Sequence, residues 1–325
     1  MNTLTRRTFR RFAAGCAALL LAAGAAAQTE GRPIRVVLGF PAGGGSDTVL
    51  RVIAQRLSQQ LGQPVVIDNK PGADGIIAAD AVAKSPPDGN TLYFASSNAL
   101  VAAPVLRGKQ AIPYDPFKDF TPVANLGRFA LVLVTAPSVP ARNIAELIEY
   151  VRSRPGALNY ASGHSVGRLA AIQLLGQGKL DMLHVPYKGD APALTDMISG
   201  RVHLMFSTEA AVRGFVKEGK LNGLVVLRDL RSPQLPNVPT AKEAGLRITV
   251  SPWAGLYGPA NMQAATVERI NQALRAALSG PEARERLEQL GFEAAISTPA
   301  EMAAIHRDEY EVFRKAVQDD GIRFE

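Results

Sequence analysis

A chain of 325 residues, 47% hydrophobic and 20% charged, is long enough for two ordinary domains and has a globular rather than a disordered composition. Its net charge of +7 is inflated by four arginines in the first 27 residues; +3 remains without them, and no later Lys/Arg block interleaves with aromatics, so nucleic acid is not expected as a partner. The single cysteine, Cys16, lies in that same segment, which leaves the rest of the chain without disulfides, thiolate metal sites or a cysteine nucleophile.

Residues 1–27 read as a twin-arginine-type signal peptide. Arg6 and Arg7 precede the apolar run Phe12 to Ala25, and Ala25-Ala26-Ala27 suits cleavage before Gln28. The paired arginines would also serve as the basic region of an ordinary secretory signal. The run is too short and alanine-rich to span a bilayer.

Ile34 to Phe40 is a β-branched, apolar run that predicts a buried strand, and Val49, Leu50, Val52, Ile53, Leu57 and Leu61 have helical spacing up to Gly62. Between them stands Phe40-Pro41-Ala42-Gly43-Gly44-Gly45-Ser46-Asp47. Glycines permit close backbone approach, and a helix start offers unpaired N–H groups and a positive dipole end, which together suit an anion. A tight turn with no ligand is the alternative. The stretch is neither a P-loop nor a dinucleotide fingerprint, because no Gly-Lys-Ser/Thr follows and Thr48 replaces the third glycine. A carboxylate therefore fits better than a nucleotide.

Pro64 to Asp68 predicts a second strand, residues 69–75 a second glycine-containing loop, and Ile76 to Lys84 a helix closed by Pro86-Pro87-Asp88-Gly89. Thr91 to Ala95 is a third strand, ending in the polar Ser96-Ser97-Asn98; Pro104 to Pro122 reads as irregular. The alternation begins again at Leu131 to Thr135. Asn143 to Glu146 is a capping box, strands follow at 158–161, 183–187, 202–206 and 221–227, and helices lie between them. A proline-punctuated link, Ser232 to Pro239, leads to a helical tail in which Thr298-Pro299-Ala300-Glu301 opens the last long helix. The expected architecture is α/β: two lobes, each a doubly wound sheet flanked by helices, with a ligand cleft between them. Lobe 1 would take 28–125 plus 251–325 and lobe 2 126–250.

Gly163-His164-Ser165-Val166-Gly167 matches the G-x-S-x-G nucleophile elbow between a strand and a helix. His184 and His203 fall inside strands and His306 in a helix, where a base does not belong. The same five residues also read as a glycine-containing anion loop, with Ser162, His164 and Ser165 as donors. Asp181, His184 and His203 lack metal-ligand spacing. Asp190 is expected to cap the helix after Lys188, and Arg168, one turn into its own helix, has the planar fork that suits a carboxylate.

In-order motifs cover the chain from Arg32 almost to its end: the Phe40–Asp47 stretch, Asp68-Asn69-Lys70-Pro71-Gly72-Ala73, Pro87-Asp88-Gly89-Asn90-Thr91-Leu92, Tyr114-Asp115-Pro116, His184-Val185-Pro186-Tyr187-Lys188-Gly189, Leu235 to Thr240 and Gly255 to Pro259. In these the sequence resembles the extracytoplasmic solute receptors of tripartite tricarboxylate transporters, the Bug-type periplasmic binding proteins. The resemblance implies a two-lobed receptor, not an enzyme, that closes on a small organic carboxylate in the periplasm and serves the membrane components of such a transporter. It implies no cofactor or metal, and a monomer is expected. Phe40, Ala42 and Gly43 would shape the first loop, and Gly44, Gly45 and Ser46 would hold the carboxylate, directly or through water. Asp47 would cap the helix or orient waters. Ser162, Gly163, His164 and Ser165 would complete the site, with Ser97, Asn98 and Thr208 on the walls. The sequence departs from the family between Tyr160-Ala161-Ser162 and Leu169: the loop is about two residues shorter, and Arg168 replaces the usual histidine. A secreted esterase using Ser165 and a receptor serving a sensor are the rival readings.

Overall fold

The computed structural model describes residues 32–107, 111–250 and 252–319; the expected signal segment lies outside the described residues. In strand β1 (Ile34–Leu38) every residue but Arg35 is buried, the pattern of a strand covered on both faces. Ile34, Val36 and Leu38 pack on Val49, Leu50, Ile53 and Leu57 of helix α1 (Gly45–Leu61), while Val37 turns to the opposite core with helix α2 (Ile76–Ala83). Helix α1 stops at Gly62, whose φ of +61° lets its N–H reach back to Ser58 O. Strands β2 (Val65–Asn69) and β3 (Thr91–Ser96) flank β1 in parallel. A π-helical turn, Asn98–Ala102, and the short α3 (Ala103–Arg107) follow, then β4 (Phe120–Phe129).

The second sheet repeats this plan. After β5 (Leu131–Thr135) and α4 (Ile144–Arg152) come β6 (Asn159–Ser162), α5 (Ser165–Gly178), β7 (Leu183–Pro186), α6 (Asp190–Ile198), β8 (Leu204–Thr208), α7 (Glu209–Lys217) and β9 (Asn222–Leu227). The chain then returns to the first sheet through β10 (Trp253–Pro259), α8 (Ala264–Leu278), α9 (Pro281–Glu288), β11 (Phe292–Ala294) and α10 (Pro299–Asp319). The orders are β11-β4-β10-β3-β1-β2 and β7-β6-β8-β5-β9. The chain adopts the expected two-lobed α/β fold, with antiparallel strands added to one side of each parallel trio.

Strands β4, β10 and β11 were not legible as strands, and Gly127 shows why. It lies where β4 pairs with β10 on one side and β11 on the other, at a φ of +144°. A Cβ there would stand 2.2 Å from Glu293 O and 2.8 Å from the Phe292 ring. Glycine, together with Pro122 and Asn125, lowers the strand signal, although pairing on both sides requires this residue. Gly127→Ala should cost roughly 2–4 kcal/mol, read as a lower urea midpoint at unchanged slope.

At Ala130 the chain passes between lobes with one bond to each: its N–H donates to Gly291 O in the first lobe, and its carbonyl accepts from Glu209 N–H in the second. Both lobes present the C-terminal ends of their parallel strands toward this crossing.

Candidate functional site

In the first lobe α1 leads from β1 to β2 on one face, and α2 returns across β1 to β3 on the other. The carboxyl ends of β1 and β3 therefore form a topological switch point, where an open sheet leaves a crevice. The second lobe does the same at β6 and β8, with α5 and α6 on opposite faces. These strand ends carry the loops Gly39–Gly44 and Ser97–Asn98 in one lobe, and Gly163–His164 and Thr208–Glu209 in the other.

Helix α1 begins without a side-chain cap, since Gly44 occupies the N-cap. The N–H groups of Gly45, Ser46 and Asp47 lie in its first turn, where a helix provides no acceptor of its own. Gly43 and Gly45 are exposed, Ser46 is half-buried, and a Cβ on Gly45 would stand 3.9 Å from Ala210 Cβ of the facing lobe. Asp47 does not look into the cleft. Only 1% exposed, it accepts from the Gly43 N–H at 2.9 Å, from Arg51 Nε at 2.7 Å and from Asn69 Nδ2 at 3.0 Å. Burial pushes its pKa up, but the bonds from Arg51, Gly43 and Asn69 outweigh this and hold it below the ordinary carboxylate value. Asn69 also donates to Phe40 O, which ties the incoming strand end to the same network.

Helix α5 opens differently. His164 is its N-cap, and Nδ1 accepts from the Gly167 N–H at 2.9 Å. That bond leaves the proton of a neutral ring on Nε2. The Ser165 hydroxyl crosses to the other lobe and donates to Asp74 Oδ2 at 2.6 Å; beside it, the Val166 N–H donates to Asn98 Oδ1 at 2.9 Å. The first turn of α5 thus clasps the first lobe at two points. Asp74 reaches Ser165 from a strained loop in which Ala73, Asp74 and Gly75 have φ of +49°, +58° and +91°. Left-handed conformations at non-glycine residues cost about 1–2 kcal/mol each, and they gather at functional sites.

Ser162 and Arg168 point elsewhere. The Ser162 hydroxyl is 2.7 Å from His184 Nε2, and Arg168 hydrogen-bonds the Tyr160 hydroxyl and lies beside His184. Burial, then the Arg168 charge, push the His184 pKa down to about 4, so the ring is neutral at neutral pH. Asp190 is not a cap: Gly189 holds that position, and the Asp190 carboxylate accepts from Ser207 Oγ at 2.6 Å and from the Thr208 N–H at 3.4 Å.

Residues 49–322 match the family model described as tripartite tricarboxylate transporter family receptor. The chain belongs to this receptor family. It is 34% identical over 298 residues to the protein BugT of Bordetella pertussis, covering 90% of each chain. Its fold is similar to that of an R. palustris protein solved with adipate, at 32% identity and a TM-score of 0.84 over 92% of this chain and 100% of that one. MatC from Rhodopseudomonas palustris, solved with bound malate, is 34% identical with a TM-score of 0.78 over 88% of this chain and 99% of the other.

Of the residues expected to form one site, the structure brings the first loop, Ser97, Asn98, His164, Ser165 and Thr208 to the strand ends at the two switch points, while Ser162 and Arg168 join a separate cluster with His184 and Tyr160 on the α5 side of the second sheet. Ser97 is fully buried, and its hydroxyl has no hydrogen-bond partner among the described residues. Two residues went unselected, Asp74 and Asp190. Each stands beside a glycine at a helix start, in the equivalent second helix of its lobe, and that was the available signal.

Asp47→Ala should lower stability by about 1–3 kcal/mol at neutral pH, because the Gly43 and Asn69 donors lose their buried acceptor. The folded pKa of Asp47 lies below the unfolded value of about 3.9, so its ionised contribution is present above that pH and is lost as pH falls through the folded pKa. Chemical denaturation as a function of pH should show the gap to wild type narrowing in acid; a constant gap would mean that the charge plays no part.

Proposed function

We infer that this receptor captures a small organic carboxylate in the periplasm and delivers it to the membrane components of a tripartite tricarboxylate-type transporter. The observation that carries this reading is the uncapped start of α1, facing the start of α7 across the cleft. Its N–H groups and dipole stabilise a carboxylate without a cationic side chain. The adipate and malate held by the two similar R. palustris proteins support the ligand class. Ser46 and the Gly45 amide hold the carboxylate, with Ser97, Asn98 and Thr208 forming walls; the expected Gly44 amide instead donates to Pro41 O at 3.4 Å. Closure brings α5 against the first lobe through Ser165 and Val166. A monomer suffices, because one chain supplies both halves of the cleft.

One contact favours a hydrolase, the Ser162–His184 pair. General-base catalysis needs an imidazole that accepts a proton near neutral pH, and the Arg168 charge beside a buried His184 opposes this. Ser165, the elbow serine of the motif, donates to Asp74 rather than to a histidine. A chromogenic ester should therefore not be turned over; turnover abolished by Ser162→Ala or Ser165→Ala would replace the receptor reading.

A ligand that binds only the folded form at a hundredfold excess over Kd adds about 2.7 kcal/mol, a rise of several degrees in Tm. Among adipate, malate, succinate, citrate and benzoate, at least one should produce it, and its methyl ester should not. Indifference of refolded, ligand-stripped protein to the whole panel would overturn the reading.

Gly45 has a conformation open to any side chain, and its Cβ direction meets Ala210. Gly45→Leu should wedge the lobes apart. Affinity for the active carboxylate should fall by about tenfold or more with Tm of the free protein nearly unchanged; unchanged affinity would remove the α1–α7 contact from the closing surface.

A further inference from the structure

Where the lobes meet, one arginine stands between two carboxylates that belong to different lobes. Arg228 follows β9 in the second lobe, and its fork grips Glu288, the last residue of α9 in the first, at 2.6 and 3.2 Å. The same Nη1 is 4.0 Å from Oε2 of Glu209, which opens α7 in the arginine's own lobe. Glu209 is fully buried. Its Oε1 accepts from Ser232 Oγ at 2.6 Å, whereas Oε2 has no hydrogen-bond partner among the described residues. Burial pushes its pKa up, and the Ser232 bond and the Arg228 charge offset this only in part. Two backbone bonds hold the junction together: the Ala130 carbonyl accepts from the Glu209 N–H, and the Ala130 N–H donates to Gly291 O. A Cβ on Gly291 would stand 3.3 Å from Glu209 Cβ, so the turn after α9 lies directly on the start of α7.

We propose that Arg228 is an exchange latch for lobe movement: it grips Glu288 while the lobes are closed and passes to Oε2 of Glu209 as they part. The inference rests on the closing motion of the receptor reading above, not on the class of ligand. Nη1 has to travel only about 1 Å to come within hydrogen-bond distance of Oε2. The Arg228 side chain is 9% exposed, so losing Glu288 without a replacement would leave a buried, unpaired charge. Landing on Glu209 avoids that and gives Oε2 the donor it lacks here. The open form thereby regains much of what breaking the Glu288 contact costs, and the junction is locked in neither form. The neighbouring charges are engaged elsewhere: Arg213 of α7 donates to Gln289 O, and Glu293 and Asp229 lie 3.9 and 3.8 Å from Arg128.

Amide hydrogen exchange of the ligand-free protein tests this. The Val166 N–H donates to Asn98 Oδ1 across the cleft, so its protection follows the closed population. Ile270 and Leu274, fully buried in α8, report whether the fold as a whole has loosened. Glu288→Gln removes the closed seat and should speed exchange at Val166 by about tenfold, the effect of losing a hydrogen bond between charged groups. Glu209→Gln removes the open seat and should slow it by about threefold or more, with α8 protection unchanged. A merely structural Glu209 would give the opposite sign, since breaking a buried network loosens the clasp. Glu209→Asp, which keeps the charge but withdraws the seat by one methylene, should also slow exchange, and it stands in for a Gln variant that fails to fold. In the Glu288→Gln background the Glu209 substitutions should change little, because Arg228 then keeps one partner in both forms. Faster or unchanged exchange in the Glu209 variants, no effect of Glu288→Gln, or equal Glu209 effects in the two backgrounds would overturn the latch. No carboxylate is added, so these outcomes bear on the latch alone, while the melting panel bears on the carboxylate reading.

Discussion

The buried carboxylate of Asp47 is the constraint on which the cleft depends. A glycine triplet before a helix has many conformations, and only a strong local acceptor selects one of them. Asp47 does so from the third position of α1 by reaching back to the Gly43 N–H, while Asn69 ties the same carboxylate to Phe40 O and to the end of β2. The loop is held from within, so its N-cap needs no side chain, and the first-turn amides have no acceptor inside the helix. Arg51 neutralises the carboxylate from the solvent side. An anion approaching the helix start therefore meets the dipole rather than an uncompensated acid.

The lobes are joined by two kinds of contact with different consequences. Ala130 holds both at the crossing through main-chain bonds that a small rotation can retain. Next to it, Arg228 from the second lobe makes a two-pronged contact with Glu288 of α9, at 2.6 and 3.2 Å, and lies 4.0 Å from the buried Glu209. Farther along the cleft, the clasp of Ser165 on Asp74 and of Val166 on Asn98 uses single short bonds. Bonds of this kind contribute about 1 kcal/mol or a little more each, and the left-handed Ala73 and Asp74 set a comparable cost against them. The clasp itself therefore contributes little net stability, and under the proposed reading a bound ligand would tip it.

Much of this frame was legible because periodicity reports burial. The β1–α1 unit, the capping boxes at Asn143 and Thr298, and the second series of strands follow from apolar spacing and end signals; Asn143 accepts the Glu146 N–H and Thr298 the Glu301 N–H as those patterns require. The loops of the cleft were legible as loops. What a loop side chain faces was not. Ser162 and Ser165 are three residues apart in one polar stretch, yet one turns to His184 in its own lobe and the other crosses to Asp74, because the helix start between them reverses the outlook of successive side chains. Strands β4, β10 and β11 escaped notice because pairing around Gly127 and Gly255 is a tertiary demand that local propensity opposes.

The charges around the cleft also bear on why a receptor would hold an anion with amides and hydroxyls. Arg51, Arg168 and Arg228 each have a partner: Arg51 has Asp47, Arg168 has Tyr160, and Arg228 has Glu288. Drawing one of them to a ligand would break its existing bond and bury a charge, so the gain from a direct ion pair would be offset in large part. Backbone N–H groups at a helix start carry no such cost, since they are unpaired within the helix in any case. An anion held this way is bound through many modest bonds rather than one strong one. Under the proposed reading, opening the clasp would return those amides to water together and so release the anion without breaking an ion pair.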